Sequence, residues 1–161
     1  RVGGAGEGWR VATSALSAER GAVGHRSHAQ TARALALLRE LARREGLDAD
    51  PLVRDRLADL EIRLRVARAH QRRMLAVPSD QLRGPEGAID KLVLTANLAR
   101  IGAAATELLG MRLAADTGEW GTYAWASFVL GAPGMRLGGG TDEVLKTLLG
   151  ERLLGLPRES A

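Results

Sequence analysis

Three consecutive glycines, Gly138-Gly139-Gly140, run into Thr141, Asp142 and Glu143. A glycine run carries no side chains to hold a ligand off, so its backbone can approach one closely. It reads equally as a flexible loop. Thr141 stands just before an apolar-periodic segment, where a hydroxyl can cap a helix. A helix N-terminus capped in this way suits a polar cofactor group. The bland alternative is a plain N-cap, with Glu143 favouring the positive end of the helix dipole. His25, His28 and His70 are the chain's histidines. His25 and His28 are three apart and can share a helix face. No His-Glu-x-x-His pattern accompanies them, so they read as partly exposed polar residues and no metal is expected. With no cysteine, disulfides and thiolate metal sites are excluded.

Helices must position these residues. Residues 9–16 form a short apolar-faced segment, and Ser17-Ala18-Glu19-Arg20-Gly21 is expected to interrupt or bend it. A second run over residues 23–45 places Ala34, Leu35, Leu38 and Leu41 at i, i+3, i+4, i+7 spacing. Gly46 supplies its C-cap, Asp50 the next N-cap and Pro51 a first helical position. Residues 51–77 carry a stripe of Val53, Leu57, Leu60, Leu64 and Ala67. A long helix to about residue 115 points Ile89, Leu92, Val93, Ala96, Ile101, Ala104, Leu108 and Leu109 inward, with Asn97 and Arg100 interrupting the pattern. An aromatic helix over residues 120–130 precedes a turn at Gly131-Ala132-Pro133-Gly134, and a last helix follows Thr141. Short loops between such helices predict an all-α, antiparallel helix bundle.

The bulk numbers agree with that class. The chain has 161 residues, enough for one domain with a core. Only 3% are aromatic, so Leu and Ala carry the packing. The net charge is +4, almost all of it on arginine, and Lys91 and Lys146 are the only lysines. A nucleic-acid face could be sought at Arg54, Arg56, Arg63, Arg65, Arg68, Arg72 and Arg73. Asp55, Asp59 and Glu61 interleave with them, which favours a solvated helix face and no nucleic acid. No apolar run approaches the roughly 20 residues of a membrane span. The glycine-rich start lacks the apolar core of a signal peptide, so a cytoplasmic setting is the default expectation.

Four segments, in order, resemble the C-terminal helical domain of acyl-CoA dehydrogenases. They are Gly6-Glu7-Gly8-Trp9-Arg10-Val11-Ala12 with Glu19-Arg20-Gly21; Asp50-Pro51-Leu52-Val53-Arg54-Asp55-Arg56-Leu57-Ala58-Asp59-Leu60; Gly84-Pro85-Glu86-Gly87-Ala88-Ile89-Asp90-Lys91-Leu92; and the stretch from Gly138-Gly139-Gly140-Thr141 to Gly155-Leu156-Pro157-Arg158-Glu159. The third is typical of a bacterial branch. The resemblance implies residues 1–8 as a linker from a β-domain and residues 9–161 as the helical bundle.

It also implies FAD as cofactor, an acyl-CoA as substrate and an electron-transfer flavoprotein as electron acceptor. Subunits of this family form tetramers, homo- or heteromeric, built on these bundles. The reaction removes an α-proton and a β-hydride, the hydride passing to the flavin. Most members place the base, a Glu, directly before the terminal Gly-Thr. Here that position is Gly139, which cannot act. Some members carry the Glu on the first helix before an Arg, which assigns Glu19 as base and Arg20 as its substrate-side neighbour. A carboxylate in a dry pocket is a suitable base for a thioester α-proton. Thr141, Glu143 and Gly140 match cofactor-binding positions. Arg44, in Arg43-Arg44-Glu45-Gly46-Leu47, stands where relatives carry an Arg-Lys-x-Phe-Gly segment that reaches a neighbour's FAD. The family's Gln-x-x-Gly-Gly is altered to Leu108-Leu109-Gly110-Met111. The alternative is a non-catalytic structural subunit or fragment of a mixed tetramer.

Overall fold

The computed structural model describes residues 2–78 and 85–158, without the side chains of residues 17–27. Among the described residues the chain forms α1 (Gly8–Arg44), α2 (Pro51–Ala76), α3 (Gly87–Leu109), a 3-10 helix (Gly110–Ala114), α4 (Thr122–Met135) and α5 (Asp142–Arg152), and no strand.

The joint between α1 and α2 forms as its residue types dictate. Gly46 takes a φ of +68°, and the Leu47 N–H returns to the Ala42 carbonyl at 2.9 Å. The Asp50 carboxylate accepts the N–H groups of Leu52 at 2.8 Å and Val53 at 3.1 Å, and Pro51 occupies the first helical position.

Ion pairs set the directions of the helices. Arg39 pairs with Glu61 at 2.9 Å, while His28 and His70 flank the same Asp90 oxygen, so α1 and α2 run antiparallel. Arg56 of α2 meets Glu107 of α3 at 3.1 Å, and Arg112 beyond α3 pairs with Glu45 beyond α1. Helix α3 therefore runs parallel to α1 and antiparallel to α2. Helix α4 folds back along α3, with Val129 and Phe128 beside Gly102. Helix α3 packs against all the other helices described.

The core gathers Ala34, Leu35, Leu38 and Leu41 with Leu60, Leu64, Ile101, Ala104, Ala105, Leu109 and Trp125. Trp125 and Phe128 meet edge to face, their centroids 5.5 Å apart. Residues Gly87–Ala114 are long and apolar enough to cross a membrane. Half of that stretch is buried inside the bundle, as the core helix of a packed domain requires.

Three expectations need correction. First, α1 is one helix of 37 residues, not two segments broken near residue 19. Ser17 to Arg20 all tolerate helical backbone, and an interior glycine costs only about 1 kcal/mol. Second, Gly131-Ala132-Pro133-Gly134 is the last turn of α4 and not a loop. Pro133 lacks the N–H that would return to the Val129 carbonyl, yet the helix continues through it to Met135. Third, the buried face of α3 is rotated from the expected stripe. Ile89, Leu92, Val93, Ala96 and Leu108 are only half-buried, whereas Asp90, Lys91, Thr95 and Asn97 are buried. Helix α3 packs against α1, α2, α4 and α5 and leaves the stripe of Ala99, Arg100, Ala103, Thr106 and Glu107 exposed, so polar residues share its buried faces and apolar periodicity alone could not fix its orientation.

Truncating Leu38, which is fully buried, should cost about 2–5 kcal/mol in urea unfolding (Leu38→Ala). Leu130→Ala, at an 81% exposed position, should cost no more than about 0.5 kcal/mol. Similar losses at both positions would contradict this core assignment.

Candidate functional site

The glycine run joins α4 to α5. Gly139 and Gly140 take φ values of +69° and +110°, a left-handed region costly to residues bearing a Cβ. A Glu at position 139 would be strained in this backbone. The glycine here is thus a conformational requirement of the joint. Gly138 is exposed, and no heavy atom lies within 4 Å of where its Cβ would stand.

Thr141 caps α5, its hydroxyl oxygen accepting the Val144 N–H at 3.3 Å. Glu143's own backbone N–H and the Thr141 hydroxyl hold its exposed carboxyl below the usual glutamate range. Thr141 and Glu143 therefore serve α5 itself, as the plain-cap reading expects, while lying beside the open glycine backbone.

One residue the sequence reading passed over anchors this joint. Lys91, on the first turns of α3, is 4% exposed. Its Nζ donates to the Arg136 carbonyl at 2.8 Å and to the Gly140 carbonyl at 2.7 Å, with Asp142 Oδ1 at 3.7 Å. Arg136 is the C-cap of α4, so the ammonium also faces the negative end of that helix. Asp142 completes the network: it pairs with Arg136 at 2.6 Å and accepts from Thr95 Oγ1 at 3.4 Å. Burial pushes the Asp142 carboxyl up. The hydrogen bond and charge of Arg136, with Lys91 and Lys146, outweigh burial and hold it below the usual aspartate range. Leu145, fully buried, pins α5 beneath. A lone lysine in a helix reads by default as surface charge, so sequence carried no signal for this role.

The preceding residue, Asp90, turns to the other side of α3. His28 Nε2 and His70 Nε2 each stand 3.6 Å from its Oδ1. His28 is 3% exposed, which corrects the expectation of a partly exposed residue. The side chain of His25 lies outside the described residues. Among the described residues, no three His, Cys, Asp or Glu side chains are placed to hold a metal ion.

The remaining candidates are spread along α1. Glu19 and Arg20 stand on its helical backbone, but their side chains lie outside the described residues. Arg44, at the far end, lays its guanidinium 4.5 Å above the Trp120 ring centre and donates from Nε to Glu40 at 2.9 Å. Its guanidinium is engaged by Trp120 and by Glu40 of its own helix. In the arginine stripe of α2, Arg56, Arg63 and Arg65 are paired with Glu107, Asp59 and Glu61. The Arg63 hydrogen bond holds Asp59 below its usual range.

Known proteins share this fold and these segments. The family described as "Acyl-CoA dehydrogenase, C-terminal domain" matches residues 6–154. The chain belongs to the acyl-CoA dehydrogenase family and represents its C-terminal helical domain. It is 35% identical over 161 residues to acyl-CoA dehydrogenase IpdE1 of Mycobacterium tuberculosis, covering 99% of this chain and 41% of the relative. It is 36% identical over 160 residues to acyl-CoA dehydrogenase IpdE1 of Mycolicibacterium smegmatis, covering 98% of this chain and 39% of the relative. The chain thus spans about two fifths of the curated relatives it matches. No solved structure matches it.

The lowered Asp142 carboxyl gives a pH test. Its stabilisation is fully present above the ordinary aspartate value of about 3.9 and is lost as pH falls through the lowered folded value. Asp142→Asn should cost roughly 1–3 kcal/mol at pH 7. The gap to the unsubstituted chain should shrink as urea unfolding is repeated from pH 5 down to pH 3. A gap independent of pH would show that the charge of Asp142 contributes nothing.

Proposed function

We propose that this domain serves an FAD-dependent acyl-CoA dehydrogenase, contributing the base, contacts to the flavin and surface for a tetramer. The observation that carries the reading is the backbone at Gly139, in a chain of this family. The position where most relatives carry the base has a left-handed conformation suited to glycine, so the base must come from elsewhere. Glu19 is the remaining candidate in the family pattern, with Arg20 ordering the substrate side.

The residues at the α4–α5 joint suit a flavin's polar groups. They offer the exposed backbone at Gly138, which no side chain crowds. When bound, FAD accepts the β-hydride of the acyl chain. Glu19 would take the α-proton, as the family pattern suggests. Gly140, Thr141 and Glu143 line the cofactor side. Residues 1–8 lead in from a β-domain, acyl-CoA is the substrate, and an electron-transfer flavoprotein receives the electrons.

A second reading, a non-catalytic subunit of a mixed tetramer, is favoured by Arg44. Its guanidinium is held by Trp120 and Glu40 rather than free to reach a neighbour's cofactor.

Glu19→Gln in the full-length assembly separates the two. Loss of a general base should slow acyl-CoA-driven bleaching of the flavin band by about 10²–10⁴-fold in stopped flow, with the oxidised spectrum unchanged. Bleaching at the unsubstituted rate would rule out Glu19 as base and leave the structural reading.

A further inference from the structure

Lysine is an uncommon choice for a buried turn of a core helix, because an ammonium is costly to desolvate unless every proton finds an acceptor. Lys91 finds two hydrogen-bond acceptors and a nearby carboxylate, all at the α4–α5 joint. Two of its acceptors are backbone carbonyls at either end of the connection, at Arg136 and Gly140, and the third neighbour is the Asp142 carboxylate. Those carbonyls bracket the glycine run.

The consequence lies in the peptide bond. A trans peptide points its C=O and N–H in opposite directions. Drawing the Gly140 carbonyl inward to Lys91 turns the Thr141 N–H the other way, off the bundle. Among the described residues that N–H makes no hydrogen bond, so it stands as an unpaired backbone donor beside the open backbone at Gly138. The left-handed φ values at Gly139 and Gly140 make this orientation accessible. Thr95 and Arg136 hold Asp142, which keeps the carboxylate beside Lys91 and the first turn of α5 in register.

We propose that Lys91 is a positioning residue: from within the bundle it fixes the Gly140–Thr141 peptide so that the Thr141 N–H is presented to a hydrogen-bond acceptor on the flavin. This rests on the acyl-CoA dehydrogenase reading of the site. Lys91 touches neither cofactor nor substrate; it acts through the backbone it holds.

The test uses Lys91→Met, which keeps length and apolar stem and removes the donors. Amide hydrogen exchange on this chain reads the joint directly, and FAD titration of the full-length assembly reads its purpose. Exchange at residues 137–145 should rise at least tenfold, while the Leu35, Leu38 and Leu41 amides keep their protection. The FAD dissociation constant should rise at least tenfold at a temperature where the variant is fully folded, with a shifted flavin absorption band. A merely structural lysine would lower the melting temperature without moving either flavin quantity. Faster exchange with unchanged FAD affinity and band position would therefore overturn the positioning role. Should Lys91→Met fail to fold, Lys91→Arg keeps the charge on a wider head that displaces the peptide. The same flavin changes are expected there, and an unaltered affinity and band would overturn the proposal. An unsubstituted assembly that takes up no FAD would overturn the functional reading itself, a result visible before any variant is made.

Discussion

A buried ammonium must have its protons accepted, and in this domain the acceptors come from the glycine-rich connection between α4 and α5. The glycine run between α4 and α5 has neither bulk nor rotamer preference to set its path. Lys91 supplies the missing constraint by binding the Arg136 and Gly140 carbonyls at once. Its neighbour Asp90 reaches His28 of α1 and His70 of α2 from the same turn of α3. Two consecutive residues therefore tie the beginning of α3 to three other parts of the fold. Removing one partner of such a buried charged set commonly costs about 3–5 kcal/mol, because the others remain desolvated and uncompensated.

The apolar architecture was legible in the sequence where one face meets one neighbour. Ala34, Leu35, Leu38 and Leu41 are buried as their spacing predicts, and the Gly46–Pro51 joint forms with the caps its residue types demand. Legibility failed where packing surrounds a helix. On α3 the fully buried positions include Asp90, Lys91, Thr95 and Asn97, and apolar periodicity cannot assign polar residues to an interior. The break expected near residue 19 was a propensity argument that a continuous helix overrode. Pro133 misled in the same way, because α4 runs through it to Met135.

Of the candidate site, the joint at residues 138–143 was legible as a place and not as a mechanism. The motif located Gly140, Thr141 and Glu143, yet Thr141 caps the helix and Glu143 leans on that cap. What orders the joint comes from a residue about 50 positions earlier, invisible to local spacing. Glycine at 139 gains a physical reason from its φ of +69°, which disfavours any residue that bears a Cβ.

The most direct measurement is side-chain NMR of the lysine ammonium groups. Lys91 and Lys146 are the only lysines, so two signals suffice. The account predicts that Lys91 gives a slowly exchanging ¹H–¹⁵N ammonium signal with cross-peaks to residues 136–142, whereas the exposed Lys146 is averaged with water. Two ammonium groups exchanging alike at the rate of free lysine would show that Lys91 does not hold the joint.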